Sequence, residues 1–292
     1  MGCSADDGDP MPEKISFRVE DSMRVNSYMT RGSQVNSWRD LGAFKASAQL
    51  YSTSGSYLSQ SLGGFFFNLS CYDMTGTGYN WPDKGQYMSF YVYHPASATG
   101  LSVSSKGTTG RPTYTYTVPE SVSSQVDFMT AEALDVSTTT RGSVSISFKH
   151  RMADLRFSVY NQASSSITVK SITVSGVKYS GSFTTSWSLS GSANTNSSHP
   201  FTLTSSKSVA SKATVDYTGT NHFFMLPQTV SSGTTFLTVS ITDENGQNKT
   251  LSWVPQSNLT LTQGKETTFT LTIGNDNLSV DASTDINDWV AE

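Results

Sequence analysis

Four histidines are the residues of this chain best suited to acid–base chemistry or to metal binding. They are His94, His150, His199 and His222, and each stands at the end of a strand-like segment or beside a proline. Metal sites need ligands at short recurring spacings such as CxxC or HExxH, and neither occurs. GxSxG, Walker and GxGxxG motifs are also absent. We therefore predict a protein without catalysis, without a metal site and without a cofactor.

Acidic residues offer a second candidate chemistry, the binding of calcium. The segment TDENGQ places Asp243, Glu244 and Asn245 together, but the later ligands of an EF-hand do not follow. Asp276, Asp281, Asp285 and Asp288 punctuate the C-terminal tail at irregular spacing. A hydrophilic turn and a solvated tail explain these residues better than a metal site does.

Composition and charge argue against some classes of binding partner. The chain has 292 residues and a formal net charge of −4, with 14% charged residues and no basic block. Nucleic acid is therefore excluded as an expected partner. No apolar run reaches the roughly 20 residues that span a bilayer. The length suffices for two hydrophobic cores.

Alternating side chains predict strands along most of the chain, because successive residues of a strand face opposite sides of the sheet. Ile15, Phe17 and Val19 alternate in KISFRVED. Asn245-Gly246 predicts a hairpin with a type I′ turn between TVSITD and NKTLSW. QASSS predicts a second hairpin between LRFSVYN and ITVKSITV. The most helix-like segment is VDFMTAEALDV, and the spacing of the strands is typical of β-sandwiches.

Three aromatic residues, Trp81, Tyr91 and Tyr93, lie in and after a Trp-Pro turn. An aromatic face can stack on the apolar face of a sugar, so these rings are candidate ligand contacts. The competing interpretation is core packing, which is the usual role of such side chains.

Several ordered segments together resemble the fimbrillin family of surface lipoproteins and type V pilins. They are NWPDKGQYMSFYVYHP, VDFMTAEA, SVSISFKHRMADLRFSVYN, FFMLPQ and DINDWV. The resemblance implies an all-β fold of two tandem β-sandwich domains, transthyretin-like with Greek-key connections. We place a lipoprotein tether at 1–14, an N-terminal domain at 15–149 and a C-terminal domain at 150–292.

The resemblance also implies how such a protein is exported and processed. Gly2-Cys3 matches the end of a lipobox, so Cys3 is the expected lipidation site, with the rest of the signal trimmed away. Pilins of this family are cut after an arginine downstream of the first strand. Arg31 is the best candidate here, and Arg24 and Arg39 are alternatives.

Such a cut would displace the strand carrying Ile15, Phe17 and Val19, and another subunit would fill the vacated groove. The implied donor is the tail at about 275–292, although its aspartates interrupt the alternation and the tail could instead pair within its own domain. The candidate donor residues are Leu278, Val280, Ile286, Trp289 and Val290.

The expected function is a structural or adhesive fimbrial subunit at the cell surface, anchored in the outer membrane by its lipid. Its partners would be other pilin subunits or further copies of itself. The alternative is a monomeric surface lipoprotein of the outer membrane that binds a glycan or a host protein.

Overall fold

The computed structural model shows a protein made almost wholly of β-strands. One 3₁₀ turn, Val122–Ser124, interrupts them, and the described residues contain no α-helix. None of the described residues belongs to a helix with the length and hydropathy to span a bilayer. The all-β prediction is confirmed. The structure describes residues 14–19, 43–55, 63–70, 75–104, 111–219 and 221–288, with the strand course alone at 63–70, 75–79 and 284–288.

The described residues form 23 strands, numbered in chain order. The first ten are β1 Lys14–Val19, β2 Ala43–Tyr51, β3 Gly63–Ser70, β4 Thr75–Asn80, β5 Tyr87–His94, β6 Leu101–Val103, β7 Tyr114–Thr117, β8 Met129–Ser137, β9 Ser143–Ile146 and β10 Lys149–His150. The others are β11 Ala153–Asn161, β12 Ile167–Val174, β13 Ser180–Phe183, β14 Trp187–Ser190, β15 Phe201–Val209, β16 Thr214–Tyr217, β17 Phe223–Met225, β18 Gln228–Val230, β19 Leu237–Thr242, β20 Asn248–Trp253, β21 Leu259–Leu261, β22 Lys265–Ile273 and β23 Leu278–Asp288.

Two sheets from the first part of the chain enclose one hydrophobic core. Their strand orders are β4-β1-β9 and β10-β8-β5-β2-β3. Alternation buries every second residue of β1 and of β9, as a half-buried strand requires. We call the enclosed cluster the N-terminal core; it comprises Ile15, Phe17, Val19, Phe44, Ala46, Ala48, Leu50, Trp81, Met88, Phe90, Val92, Met129, Ala131, Val144, Ile146 and Phe148.

A second and larger cluster, the C-terminal core, lies among the later strands. The sheet β16-β11-β22-β23, with β17 also paired to β11, contributes Phe157 and Phe269 to it. The sheet β15-β12-β19-β20 contributes Ile172 and Val239. The two aromatic rings Phe157 and Phe269 lie 5.8 Å apart. This arrangement is a β-sandwich, as the sequence predicted.

A segment from the first half of the chain completes the C-terminal core. Strand β7 pairs with β13, and the sheet runs β14-β13-β7-β6. Tyr116 and Phe128 are fully buried and belong to the C-terminal core rather than to the N-terminal one. Strand pairing therefore crosses the predicted boundary between residues 149 and 150, and that two-domain division stays a prediction.

The predicted hairpin around Asn245-Gly246 is confirmed, since β19 and β20 are antiparallel neighbours. The predicted turn type is wrong. A type I′ turn needs positive φ at both central residues, whereas only Gly246 has one, at 75°. The amide of Gly246 donates to the carbonyl oxygen of Asp243 at 3.0 Å, which closes a type I turn followed by a left-handed glycine.

The hairpin predicted at QASSS is wrong. Strand β11 pairs with β16, β17 and β22, whereas β12 pairs with β15 and β19. The connection therefore passes from one sheet of the sandwich to the other. Two consecutive alternating strands satisfy either arrangement locally, and the choice depends on which distant strands lie beside them.

The segment with the most helix-like pattern, VDFMTAEALDV, is also extended. It contains strand β8, which pairs with β5. Met129 lies in the N-terminal core and Phe128 in the C-terminal core, so neighbouring side chains face opposite directions. Burial on both faces removed the alternation that would have indicated a strand.

Candidate functional site

The central strand of the smaller N-terminal sheet is the feature that the sequence singled out. Strand β1 lies between β4, to which it is antiparallel, and β9, to which it is parallel. Phe17 is opposite Val144, and Val19 is opposite Ile146. A parallel pair needs a long crossover between its strands, and here more than a hundred residues separate them in sequence.

The inward face of β1 is deeply buried. Ile15 is 1% exposed, Phe17 3% and Val19 8%. The ring of Phe17 meets that of Phe90 edge-on, with 5.3 Å between the ring centres. Lys14 and Arg18 point outward. All three predicted residues of the displaced strand therefore lie in one core, on a strand whose other face is exposed or half-exposed.

The C-terminal tail forms a strand of the C-terminal sandwich. Strand β23 runs antiparallel to β22, and Leu278 is opposite Ile273. Leu278 and Val280 are half-buried and pack against the C-terminal core. Asp281 is exposed on the outer face. Pairing within its own domain was the alternative that the aspartates suggested, and this structure has that arrangement.

The structure describes little of the remaining predicted processing and donor residues. For Ile286 the structure describes the strand and not the side chain. Cys3, Arg24, Arg31, Arg39, Trp289 and Val290 lie outside the described residues.

Two of the three candidate ligand-contact aromatics are packing residues, and the third is half-buried. Trp81 is 5% exposed and its ring meets Phe90 at 6.2 Å, while Tyr91 is 2% exposed. Tyr93 is half-buried, and its ring lies 5.3 Å from that of Tyr114. Neither Trp81 nor Tyr91 presents a face on which a sugar could stack, so their assignment as ligand contacts is corrected to core packing.

Two buried histidine–carboxylate pairs were not foreseen from the sequence. His150 Nδ1 lies 2.8 Å from an oxygen of Asp127, and His222 is hydrogen-bonded to Asp154 through its own Nδ1. The partners are 23 and 68 residues apart in sequence, so no spacing could have indicated them. All four side chains are essentially inaccessible, which places them in the scaffold rather than at a surface that a substrate could reach.

The histidines and acidic residues of the described segments do not converge on a metal. No group of three or more His, Cys, Asp or Glu side chains in this part of the protein has the geometry to hold an ion.

The sequence profile described as fimbrillin-like matches residues 45–289. The chain belongs to the fimbrillin-like family. The match extends over both cores and includes the crossing strand β7, and it confirms the family indicated by the ordered sequence motifs. Comparison with curated protein sequences finds no significant match.

Solved structures with the same fold as this fimbrillin-like chain include bacterial fimbrial and cell adhesion proteins. It is similar to a fimbrial protein from Bacteroides vulgatus, with 15% identity and a TM-score of 0.62, covering 94% of this chain and 99% of that one. It is also similar to a candidate cell adhesion protein from Bacteroides ovatus, with 14% identity and a TM-score of 0.55, covering 96% and 98%. At these identities the likeness concerns the fold, and the family membership supports a surface adhesive subunit.

Proposed function

We propose that this fimbrillin-like protein is a non-catalytic structural and adhesive subunit of a cell-surface fimbria. It is exported as a lipoprotein acylated on Cys3, held at the outer membrane, and assembled by donor-strand exchange after an arginine-specific cut at Arg31. The observation that carries the proposal is the position of β1, which lies between β4 and β9 and precedes Arg31 in sequence.

Loss of β1 would open a groove in the N-terminal sandwich. It would expose the apolar sites of Ile15, Phe17 and Val19, each worth about 1.5 to 3 kcal/mol of burial. β1 lies between β4 and β9 in the sheet. Its loss would therefore also leave the backbone groups of β4 and β9 that bond to β1 without a partner. A strand from another subunit would restore both contributions, which is β-augmentation in trans.

The donor in this proposal is the tail that includes β23. Its pairing with β22 at the edge of a sheet is compatible with release, because an edge strand has hydrogen bonds to one neighbour only. The half-buried Leu278 and Val280 would leave the surface of the C-terminal core and enter the groove of the next subunit. Ile286, Trp289 and Val290 remain the further donor candidates.

Proteolysis of lipid-free protein tests the assembly step. We expect an arginine-specific protease to cut after Arg31 and to produce a ladder of oligomers on size-exclusion chromatography and on gels. The matched control is Arg31→Lys, which keeps the charge and removes the cleavage site. Cleavage at Arg31 without any oligomers would exclude a shaft subunit, while a tip or anchor subunit would remain compatible with that result.

The export step has its own test. Metabolic labelling with a palmitate analogue should mark the full precursor, and cell fractionation should recover it with the outer membrane. The Cys3→Ser variant should carry no label and should appear in the soluble fraction. Label on the Cys3→Ser variant would contradict lipidation at this residue.

A second candidate function follows from the observed pairing of β23. A tail that stays in its own sandwich donates no strand, and the protein would then act as a monomeric surface lipoprotein that binds a glycan or a host protein. Persistence of monomers after the cut, together with specific ligand binding, would favour this candidate.

A further inference from the structure

Four loops meet at one end of the C-terminal sandwich and border two adjoining open depressions. The loops connect β11 to β12, β15 to β16, β19 to β20 and β22 to β23. One depression has a volume of about 570 Å³ and the other about 290 Å³. They share Ala163, Ser164, Gly274 and Asn275 as a common wall. We call the pair the loop cleft.

We propose that the loop cleft is a binding site for an uncharged polyhydroxyl ligand, namely the terminal part of a neutral oligosaccharide. The proposal deepens the adhesive half of the proposed function by naming the class of ligand, and it does not depend on strand exchange. Cavities of a few hundred Å³ with a few convergent polar groups are the usual form of a small-molecule site.

Hydrogen bonds between the loops fix the shape of the cleft. The amide of Gln162 donates to the carbonyl oxygen of Ile273 at 2.8 Å, and the amide of Lys212 donates to that of Asn161 at 2.9 Å. The ammonium of Lys249 donates to the carbonyl oxygen of Asn275 at 2.8 Å. Each loop is thereby tied to another, so a ligand would meet a preformed surface.

A fully buried side-chain amide holds the centre of this arrangement. Asn161 donates through Nδ2 to the carbonyl oxygens of Ser165, at 2.8 Å, and Val209, at 3.0 Å. Its Oδ1 accepts from the amide of Ala163 at 3.0 Å. One side chain therefore positions the β11–β12 loop relative to the end of β15.

The polar groups of the lining suit a neutral ligand. The side-chain amides of Gln162, Asn245 and Asn277 line the cleft, and within the described part of the chain none of the three makes a hydrogen bond. A side-chain amide offers two donors and an acceptor, which matches sugar hydroxyls that both donate and accept. Ser164 adds a hydroxyl that faces both depressions.

Four of the five charged side chains that line the cleft already have partners, and the fifth, Glu244, is an exposed carboxylate that would repel an anionic ligand. Lys249 lies 2.8 Å from a carboxylate oxygen of Asp276 and 3.9 Å from one of Asp243. This neighbourhood raises the pKa of the Lys249 ammonium, chiefly through Asp276. The ammonium of Lys212 donates to the carbonyl oxygen of Gln162. An anion would have to displace these partners.

A cation has no preformed site in the cleft: Glu244 is an exposed carboxylate, but among the described residues no group of three or more His, Cys, Asp or Glu side chains could hold a metal ion. Oδ1 of Asp243 accepts from the amides of Asn245 and Gln247, at 3.0 and 2.9 Å, and so belongs to the turn. Asp276 is held by Lys249.

The lining contains no aromatic ring, so we expect weak binding at a single site. Repetition along a fimbria would raise the avidity of such sites by orders of magnitude.

Binding of the full chain to an array of neutral, sialylated and sulfated oligosaccharides tests the proposal, with titration calorimetry on the neutral sugars that respond. We expect binding to at least one neutral oligosaccharide. Ser164→Trp should abolish it by filling both depressions, and Gln162→Ala and Asn245→Ala should each weaken it at least tenfold. The matched controls are Ser232→Trp and Gln256→Ala, whose loops lie at the opposite ends of β19 and β20, and these should bind as the unmodified chain does.

Each other outcome would overturn the proposal. These are an array without a neutral binder, binding confined to sialylated or sulfated sugars, and neutral-sugar binding that survives Ser164→Trp. All the substituted side chains are exposed, so we expect every variant to fold. Far-ultraviolet circular dichroism and thermal unfolding check this. Oligomer formation after the Arg31 cut is measured separately, so loss of sugar binding and failure of strand exchange are distinguishable results.

Discussion

The indole Nε1 of Trp187 donates a hydrogen bond to the backbone carbonyl oxygen of Arg151, at 2.6 Å. Arg151 lies between β10 and β11, where the chain leaves the N-terminal core and enters the C-terminal one. Its guanidinium lies 4.7 Å from the centre of the Phe183 ring, and its Nε donates to Thr130 Oγ1 at 2.7 Å. Residues from β8, β13 and β14 thus converge on one residue at the junction.

We expect Trp187→Phe to destabilise the protein by about 1 to 3 kcal/mol, because it keeps an aromatic ring but removes the donor to a part-buried carbonyl. Chemical denaturation measures the change. The control is Trp253→Phe, since the Trp253 indole makes no hydrogen bond within the described residues. Equal losses in the two variants would assign the effect to ring size instead.

Phe17→Ala should cost about 3 to 5 kcal/mol, because it empties a site in the N-terminal core against Phe90. Arg18→Ala, on the outward face of the same strand, should change the unfolding free energy by less than about 0.5 kcal/mol. Urea unfolding of the two variants checks both values. A small effect of Phe17→Ala would show that β1 contributes little to the core and would weaken the strand-exchange proposal.

Tyr116→Ala should destabilise the C-terminal core by about 3 to 5 kcal/mol, although the residue comes from the first half of the chain. Thr115→Ala alters the exposed face of the same strand and should be nearly neutral. Hydrogen exchange resolves which core loses protection. Loss confined to the amides of the N-terminal sheets would contradict the assignment of β7 to the C-terminal core.

Acid should destabilise the protein through His94, which is 8% exposed and whose Nδ1 donates to the carbonyl oxygen of Ala43 at 3.2 Å. Burial lowers the pKa of His94 below its ordinary value of 6.5, while Asp127 opposes that shift and His150 adds to it. As pH falls through 6.5, the unfolded chain takes up the proton before the folded one, so the free energy of unfolding decreases.

The measurement is the unfolding free energy at a series of pH values between 8 and 5. His94→Asn keeps a donor for the carbonyl of Ala43 without a titrating group, and its curve should be flatter than that of the unmodified chain below pH 6.5. Parallel curves would place the acid sensitivity in other residues.

Local sequence was sufficient to predict many of the strands and the position of one hairpin. Alternation identified β1 with Ile15, Phe17 and Val19 inward, and Asn245-Gly246 located the hairpin of β19 and β20. It left β8 within the most helix-like segment, because Met129, Thr130 and Ala131 are all buried and the start of the strand therefore does not alternate. The alternating pattern involves neighbouring residues only, so it can be recognised without knowing which strands pair with one another.

The candidate sites depended on the tertiary structure to a larger degree. Nothing local distinguishes a Trp81 that packs against Phe90 from one that faces solvent, and the four loops of the loop cleft are distant in sequence. The family resemblance indicated that β1 is the strand to be displaced. Only the fold showed that β1 pairs in parallel with β9.

The sequence by itself determined the all-β class, many of the strands and the apolar face of strands such as β1, because these follow from side-chain period and turn chemistry within a few residues. Only the tertiary structure decided that β11 and β12 belong to opposite sheets, that β7 pairs with β13, and that β23 lies on β22. The physical reason is that a strand's backbone groups bond any neighbour of suitable register, so the partner is chosen by packing of the whole core.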